Sequence, residues 1–258
     1  MKNLLFILIT TWFFTNFANQ NNSLKTSNFP SLTDTVIANI DDSTEIEKLY
    51  SAIKLKGILK FDAFEQAMIG HEDLPVKNKN IITVIDFTLP STDKRMYVID
   101  LKNKKLLYHS IVSHGKNSGE KYARSFSNKH GSYQSSLGFY VTENTYQGGN
   151  GYSLVLNGLE RGINDQAKPR AVVIHGADYC STAVIASSGR LGRSYGCPAL
   201  PRAVTKPIIN TIKEGTMLFI YADNQDYIAQ SKVLNSVERG LLAQHKTETT
   251  TGSNVSLN

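Results

Sequence analysis

Two short runs of the chain hold the residue types that could do chemistry. Ala171-Val172-Val173-Ile174-His175-Gly176-Ala177-Asp178-Tyr179-Cys180 delivers a histidine at the end of a short apolar strand. Gly189-Arg190-Leu191-Gly192-Arg193-Ser194-Tyr195-Gly196-Cys197-Pro198 brings a cysteine out of a glycine-rich loop. A cysteine attacks as thiolate, and a free thiol with a pKa of about 8.5 is only a few per cent ionised at neutral pH. An imidazole within hydrogen-bond reach would supply the missing basicity. So would the positive end of a helix beginning near Pro198, a residue tolerated in a helix's first turn. Gly196 lets the backbone turn sharply enough for the amides of Gly196 and Cys197 to face a developing oxyanion. Nucleophile, base and oxyanion donors together describe an acyl-transfer site.

The neighbouring polar residues admit plainer explanations. Cys180 leaves open a core thiol, a pocket lining or a redox partner for Cys197, since their separation permits a disulfide in an oxidising compartment. His114, like His175, precedes a glycine and is the competing imidazole; capping its loop or binding substrate is the expected role. Arg190 and Arg193 suit a carboxylate through their bidentate fork, or stand as solvated arginines. Asp178 either orients a side chain near the base or simply forms a turn. His71, His109, His130 and His245 have no supporting context. No Cys-x-x-Cys or His-x-x-x-His spacing suggests a metal site, and thiol acyl transfer needs no organic cofactor, so neither metal nor cofactor is expected.

His-Gly, a loop, then Ser-x-Gly-Cys resembles the signature of the L,D-transpeptidases, the cysteine enzymes that cross-link bacterial peptidoglycan. Ser194-Tyr195-Gly196-Cys197-Pro198-Ala199-Leu200-Pro201, with Ser125-Phe126-Ser127-Asn128 and Gly138-Phe139-Tyr140 upstream, is similar to a divergent Ser-x-Gly-Cys-Pro branch, over roughly Ile81 to Tyr221. The resemblance implies Cys197 as nucleophile, His175 as general base and the Gly176 carbonyl as the group orienting the imidazole. It places Ser194 and Gly196 at the positions framing the oxyanion site. Tyr195 stands where the commoner motif has a second histidine, and Pro198-Ala199 replaces the usual apolar residue and arginine. Arg193 or Arg190 then becomes the substitute cation. The implied substrates are peptidoglycan stem peptides, with a terminal D-alanine leaving and an amine accepting the acyl group. Water as acceptor would make a carboxypeptidase or endopeptidase instead, and a non-catalytic wall-binding module with its cysteines locked together is the reading from another class.

The chain that must position these residues has 258 amino acids, 41% hydrophobic, with a net charge of +6. Its lysines and arginines are scattered, without the aromatic-interleaved basic clusters of a nucleic-acid binder, so no nucleic-acid partner is expected. Residues 1–18 read as a secretory signal, with Lys2 before the apolar segment Leu4 to Phe17 and Ala18 near a cleavage point. An uncleaved segment would be the only membrane attachment. Export to the periplasm or cell envelope follows. Residues 19–42 form a polar linker. Over 43–75, Ile46, Leu49, Tyr50 and Ile53, then Phe61, Phe64, Ala67 and Met68, recur at helical spacing and predict a two-helix prelude broken at Gly57, with Ser43 and Asp62 as candidate caps.

From 76 to 223 short β-branched and aromatic runs predict a mostly-β catalytic domain, which the resemblance makes β-sandwich-like with a helix after the cysteine. Expected strands are Ile81 to Phe87, Arg95 to Leu101, Lys105 to Ser113, Gly138 to Glu143, Tyr152 to Asn157, Ala171 to Ile174 and Met217 to Tyr221, with a helix over Thr205 to Lys213. The polar stretch from Ser113 to Gly138 is too long for an ordinary connection and reads as a substrate-side wall or a mobile surface loop. Residues 224–258 read as a tail with weak helical spacing from Tyr227 to Leu242 and a disordered end.

Overall fold

The computed structural model describes residues 44–236. The expected signal, the linker and the tail from 237 onward lie outside the described residues.

The prelude is helical as its periodicity predicts. Helix α1 (Glu45–Ala52) opens on a capping box displaced by one residue from the expected Ser43. Thr44 Oγ1 accepts from the Glu47 amide at 3.2 Å, and the Glu47 carboxylate accepts from the Thr44 amide at 2.6 Å. Helix α2 (Phe61–Asp73) starts without a side-chain cap; Asp62 lies in its first turn, where its charge suits the positive helix end. The helix buries Phe64, Ala67 and Met68. At Gly70 even a methyl group would lie 2.1 Å from the Phe139 ring, so glycine there permits the close approach of helix and sheet.

One mixed eight-stranded sheet forms the body. Its strands are β1 (Ile81–Asp86), β2 (Met96–Asp100), β3 (Lys105–Ser110), β4 (Gly138–Gly148), β5 (Gly151–Gly158), β6 (Val173–Gly176), β7 (Ala199–Leu200) and β8 (Met217–Tyr221). Their order is β3-β2-β1-β8-β4-β5-β6-β7. Strand β8, buried at every residue, runs parallel to β1 and antiparallel to β4 at the centre. Continuous apolar runs such as this one are what burial on both faces requires. The predicted meander holds: Asp100 pairs with Lys105 across the turn.

Strands β4 and β5 extend beyond expectation, with Gly148 paired to Gly151 around the two-residue turn Gly149-Asn150. The ladder continues through polar residues where hydrophobic alternation has already faded. Helix α3 (Thr182–Ser188), read from sequence as loop, is a further departure. It buries no residue and so leaves no apolar period; Ser181 caps it and Gly189, at φ 72°, ends it.

The two sheet edges meet. Beyond β3, the Ser113 amide donates to the Ala199 carbonyl at 2.8 Å, and Gly115 bridges Ser194, so the sheet curls into barrel-like closure. Arg95, fully buried, holds this seam by donating to the Val112 carbonyl and to His114 Nδ1 at 2.8 Å. Helix α4 (Arg202–Ile212) turns Ile208, Ile209 and Ile212 into the core. The mostly-β class, the helical prelude and a helix beyond Cys197 are therefore all present, and a short helix α5 (Gln225–Gln230) follows β8.

Candidate active site

Strand β6 places His175 and the approach to β7 places Cys197, and the two strands are parallel neighbours with His175 opposite Ala199. The strand starts two residues later than the apolar run suggests, because Ala171 adopts the left-handed φ of 56° and ends the turns before it. His175 consequently lies within the strand, buried, with its Nδ1 3.1 Å from the Gly176 carbonyl. That bond assigns the Nδ1–H tautomer and leaves Nε2 as the basic nitrogen. Burial pulls the imidazole below its ordinary range, with the Gly176 bond opposing and nearby Arg202 adding to the effect. The ring is neutral at pH 7.

The Cys197 thiol is half-buried and free. Its sulfur accepts from the Val173 amide at 3.4 Å and donates to the Ala171 carbonyl at 3.6 Å. The thiol's hydrogen bonds thus go to the backbone entering β6, and none goes to the imidazole. Burial raises the thiol above its ordinary value, while the Val173 amide, the Arg170 charge and the residue's own amide favour the thiolate. Resting sulfur and resting ring are both neutral. Helix α4 begins beyond β7, so its positive end is not at the sulfur as the sequence suggested; Pro198 leads into a strand, not a helix.

The turn carrying Cys197 is shaped by Ser194, whose hydroxyl donates to the Cys197 carbonyl at 2.6 Å and accepts from the Gly196 amide at 3.0 Å. The Gly196 amide is therefore occupied and is not free for the oxyanion role expected of it. Gly196 itself has φ 128°, and an added methyl would meet the Gln134 carbonyl at 2.8 Å. Ser135 closes the other side, donating to the Gly196 carbonyl at 3.2 Å and accepting from the Gly115 amide at 3.0 Å.

The long polar loop is thus built against this turn, and Arg170 bolts it there. Its Nη1 donates to the Ser127 carbonyl (2.8 Å) and Ser136 hydroxyl (2.7 Å), and its Nη2 to the Gln134 carbonyl (2.7 Å) and Ser132 hydroxyl (3.3 Å). Sequence reasoning missed this residue. The only available signal was a basic side chain immediately ahead of the apolar strand.

His114 is wholly buried, with Nδ1 accepting from Arg95 and Nε2 3.2 Å from the Gly119 carbonyl. Burial and the Arg95 charge depress it to about 4. Both nitrogens are engaged inside the seam, one of them on a carbonyl of the loop that follows it. Arg190 and Arg193 pair with Glu120 of the long polar loop at 2.9 and 2.7 Å. Asp178 pairs with Arg202. Cys180 is a free, buried core thiol raised to about 11 by burial, packed with Ala177, Leu191 and Ala199. Tyr195 projects into solvent.

A cavity of about 130 Å³ is lined by Gly151, Tyr152, Gly176, Arg202 and Lys206 among others. Two larger ones, of about 430 and 260 Å³, share Phe126 and Asn224 and are lined by neither Cys197 nor His175. Among the described residues no cluster of histidine, cysteine and carboxylate groups could hold a metal ion, and no helix is long and apolar enough to cross a membrane.

No curated protein matches the chain. Among solved structures, an L,D-transpeptidase from Mycobacterium smegmatis is similar at 13% identity and TM-score 0.35, over 55% of this chain and 59% of that one. L,D-transpeptidase 1 of Mycobacterium tuberculosis is similar at 12% identity and TM-score 0.32, over 55% and 61%. The helical cell shape determining protein Pgp2 of Campylobacter jejuni is similar at 16% identity and TM-score 0.39, over 66% and 58%. The chain thus spans about three fifths of the length of these proteins. The sequence profile of the L,D-transpeptidase catalytic domain matches residues 55–221, which takes in the second prelude helix, the whole sheet and both runs that bear His175 and Cys197. Over that span, well beyond half its length, the chain belongs to the L,D-transpeptidase catalytic-domain family.

Proposed function

We propose that this chain is an exported cysteine acyltransferase that works on peptidoglycan stem peptides, with Cys197 as nucleophile and His175 as general base. One observation carries the reading: a free thiol beside β6, two residues along from a neutral imidazole whose other nitrogen is fixed on the Gly176 carbonyl. Fixing Nδ1 leaves Nε2 the single site for a proton, as general-base work requires.

In the proposed reaction, rotation about the Cys197 side chain takes the sulfur off the Ala171 carbonyl and toward Nε2. The ring takes the thiol proton as sulfur bonds to the donor's carbonyl carbon. The Cys197 amide, left unused by Ser194, faces the resulting oxyanion. Collapse expels the amine of a terminal D-alanine, which receives the proton from His175, and leaves a thioester. An amine of a second stem, deprotonated by the same ring, then attacks the thioester carbon and releases the thiol. The roles of Gly176 and Ser194 are positioning ones, exerted on the ring and on the turn.

The test is incubation with a tetrapeptide muropeptide, read by intact mass, on wild type and Cys197→Ala. Wild type alone should gain the mass of the muropeptide less D-alanine; equal adduct on both, or none on either, would refute the assignment. Product analysis then separates acceptors: dimers mark transfer to an amine, and trimmed stems without dimers mark transfer to water.

A further inference from the structure

Beside the Cys197 turn stands a cluster that the proposed mechanism does not use. Lys116 extends its ammonium over two tyrosine rings at once, 4.5 Å from the centroid of Tyr133 and 4.7 Å from that of Tyr195. The rings lie 4.7 Å apart, inclined at 46°. Both are exposed, Tyr195 at 68% and Tyr133 at 41%. Two solvent-facing rings and a lysine do not adopt a single arrangement without support, since each loses rotamer freedom.

The support is extensive. The Lys116 amide donates to the Ser194 carbonyl at 2.8 Å, next to Tyr195. Arg193 Nη1 donates back to the Lys116 carbonyl at 2.8 Å. Tyr133 holds the left-handed φ of 54°, uncommon for a bulky residue, with its carbonyl accepting from the Asn117 amide at 3.1 Å. Strain of this kind persists where the surroundings over-determine it, and it clusters at ligand-binding positions.

Charge gives the second, independent indication. Lys116 has no carboxylate partner among the described residues; its charge meets only the ring faces. Arg190 and Arg193 on the same rim share a single carboxylate, that of Glu120. Three cations against one anion leave the rim positive. A positive rim with a fixed ammonium favours an anionic ligand group.

We propose that Lys116, held by Tyr133 and Tyr195, is the site that receives a carboxylate of the donor peptide and so fixes that peptide against Cys197. This rests on the acyl-transfer reading. Free carboxylates occur both at a peptide's C-terminus and on its acidic side chains, and the shared chemistry is an ammonium-carboxylate pair with the phenol hydroxyls at its edge.

The experiment is calorimetric titration of the full chain carrying Cys197→Ala, which cannot react, with a D-alanine-terminated tetrapeptide. The same peptide amidated only at its C-terminus, or only at its side-chain carboxyl, provides the two comparison arms. One amide should bind about tenfold more weakly than the free acid, the factor corresponding to 1.4 kcal/mol, and which amide does so assigns the carboxylate. Adding Lys116→Gln should abolish that tenfold difference, whereas Lys116→Arg should keep it. Persistence of the difference in Lys116→Gln, or an equal loss of affinity for acid and amides alike, overturns the proposal. Failure of the underlying acyl-transfer reading shows separately, as no adduct on wild type by intact mass.

Discussion

Replacing Arg170 by methionine keeps the length of the side chain and removes its charge and every donor. Four hydrogen bonds disappear, two to backbone carbonyls and two to serine hydroxyls of the loop that walls the Cys197 turn. A hydrogen bond to a charged donor contributes about 1.5–3 kcal/mol when buried. Arg170 is only half-buried and water can reach part of the fork, so the net loss should be about 2–3 kcal/mol in total, well short of the sum. For a domain of this size that corresponds to a fall in Tm of about 5–10 °C. A second effect is electrostatic: Arg170 is the cation that favours the Cys197 thiolate. Without that cation the thiol rises further and alkylation of Cys197 at pH 8 slows. Thermal unfolding and iodoacetamide labelling, the latter followed by peptide mapping against buried Cys180 as internal control, measure the two effects on one preparation. Unchanged Tm would refute the bolt, and a lowered Tm with an unshifted pH-rate profile for Cys197 would refute the electrostatic half.

His175→Ala should slow thioester formation by about 10²- to 10⁴-fold, measured by stopped intact-mass assay. Because burial holds the imidazole below its ordinary value, the base stays unprotonated into mildly acidic solution, and the acid limb of the rate profile should fall below the histidine value of about 6.5. Gly196→Ala forces a side chain into φ 128° and against the Gln134 carbonyl; it should cost about 2–4 kcal/mol in urea unfolding and lower acylation about a hundredfold by displacing the sulfur. His114 has a folded pKa of about 4 against an ordinary 6.5, so the unfolded chain binds its proton first and stability is lost as pH falls through that window. The loss is about 3 kcal/mol from this residue, and His114→Gln should flatten the urea-midpoint profile between pH 6.5 and 4; an equally steep profile in the variant would refute the assignment.

The sequence made the meander, the prelude and the pair of runs bearing His175 and Cys197 legible because each has a local signature: alternation, helical spacing, or glycines around a reactive side chain. What stayed hidden depends on partners distant in the chain. Arg170 acts through carbonyls of residues 127 and 134, which no spacing rule links to it. His114 and His175 look alike in sequence, each before a glycine. Only the closing of the sheet separates them, sealing one ring behind Arg95 and leaving the other beside the thiol's strand. Helix α3 escaped because it has no buried face to create a period. The expected oxyanion donor at Gly196 failed for a local reason, the Ser194 hydroxyl having taken its amide.

Neutrality of both resting partners bears on how such a site survives outside the cell, where the proposed function places it. A thiolate-imidazolium pair held ready in an oxidising environment would be the form most open to sulfenic acid and disulfide formation, since oxidation follows thiolate character and exposure. Here burial raises the thiol and lowers the ring, so the proton remains on sulfur until something changes the balance. A donor peptide changes it by presenting a carbonyl whose developing negative charge only the transition state can place at the Cys197 amide. The same burial that makes the resting thiol a poor nucleophile therefore makes its activation conditional on substrate. A small alkylating agent and a muropeptide should accordingly disagree about the reactivity of Cys197, the agent reporting a sluggish thiol at pH 7 and the peptide a competent one.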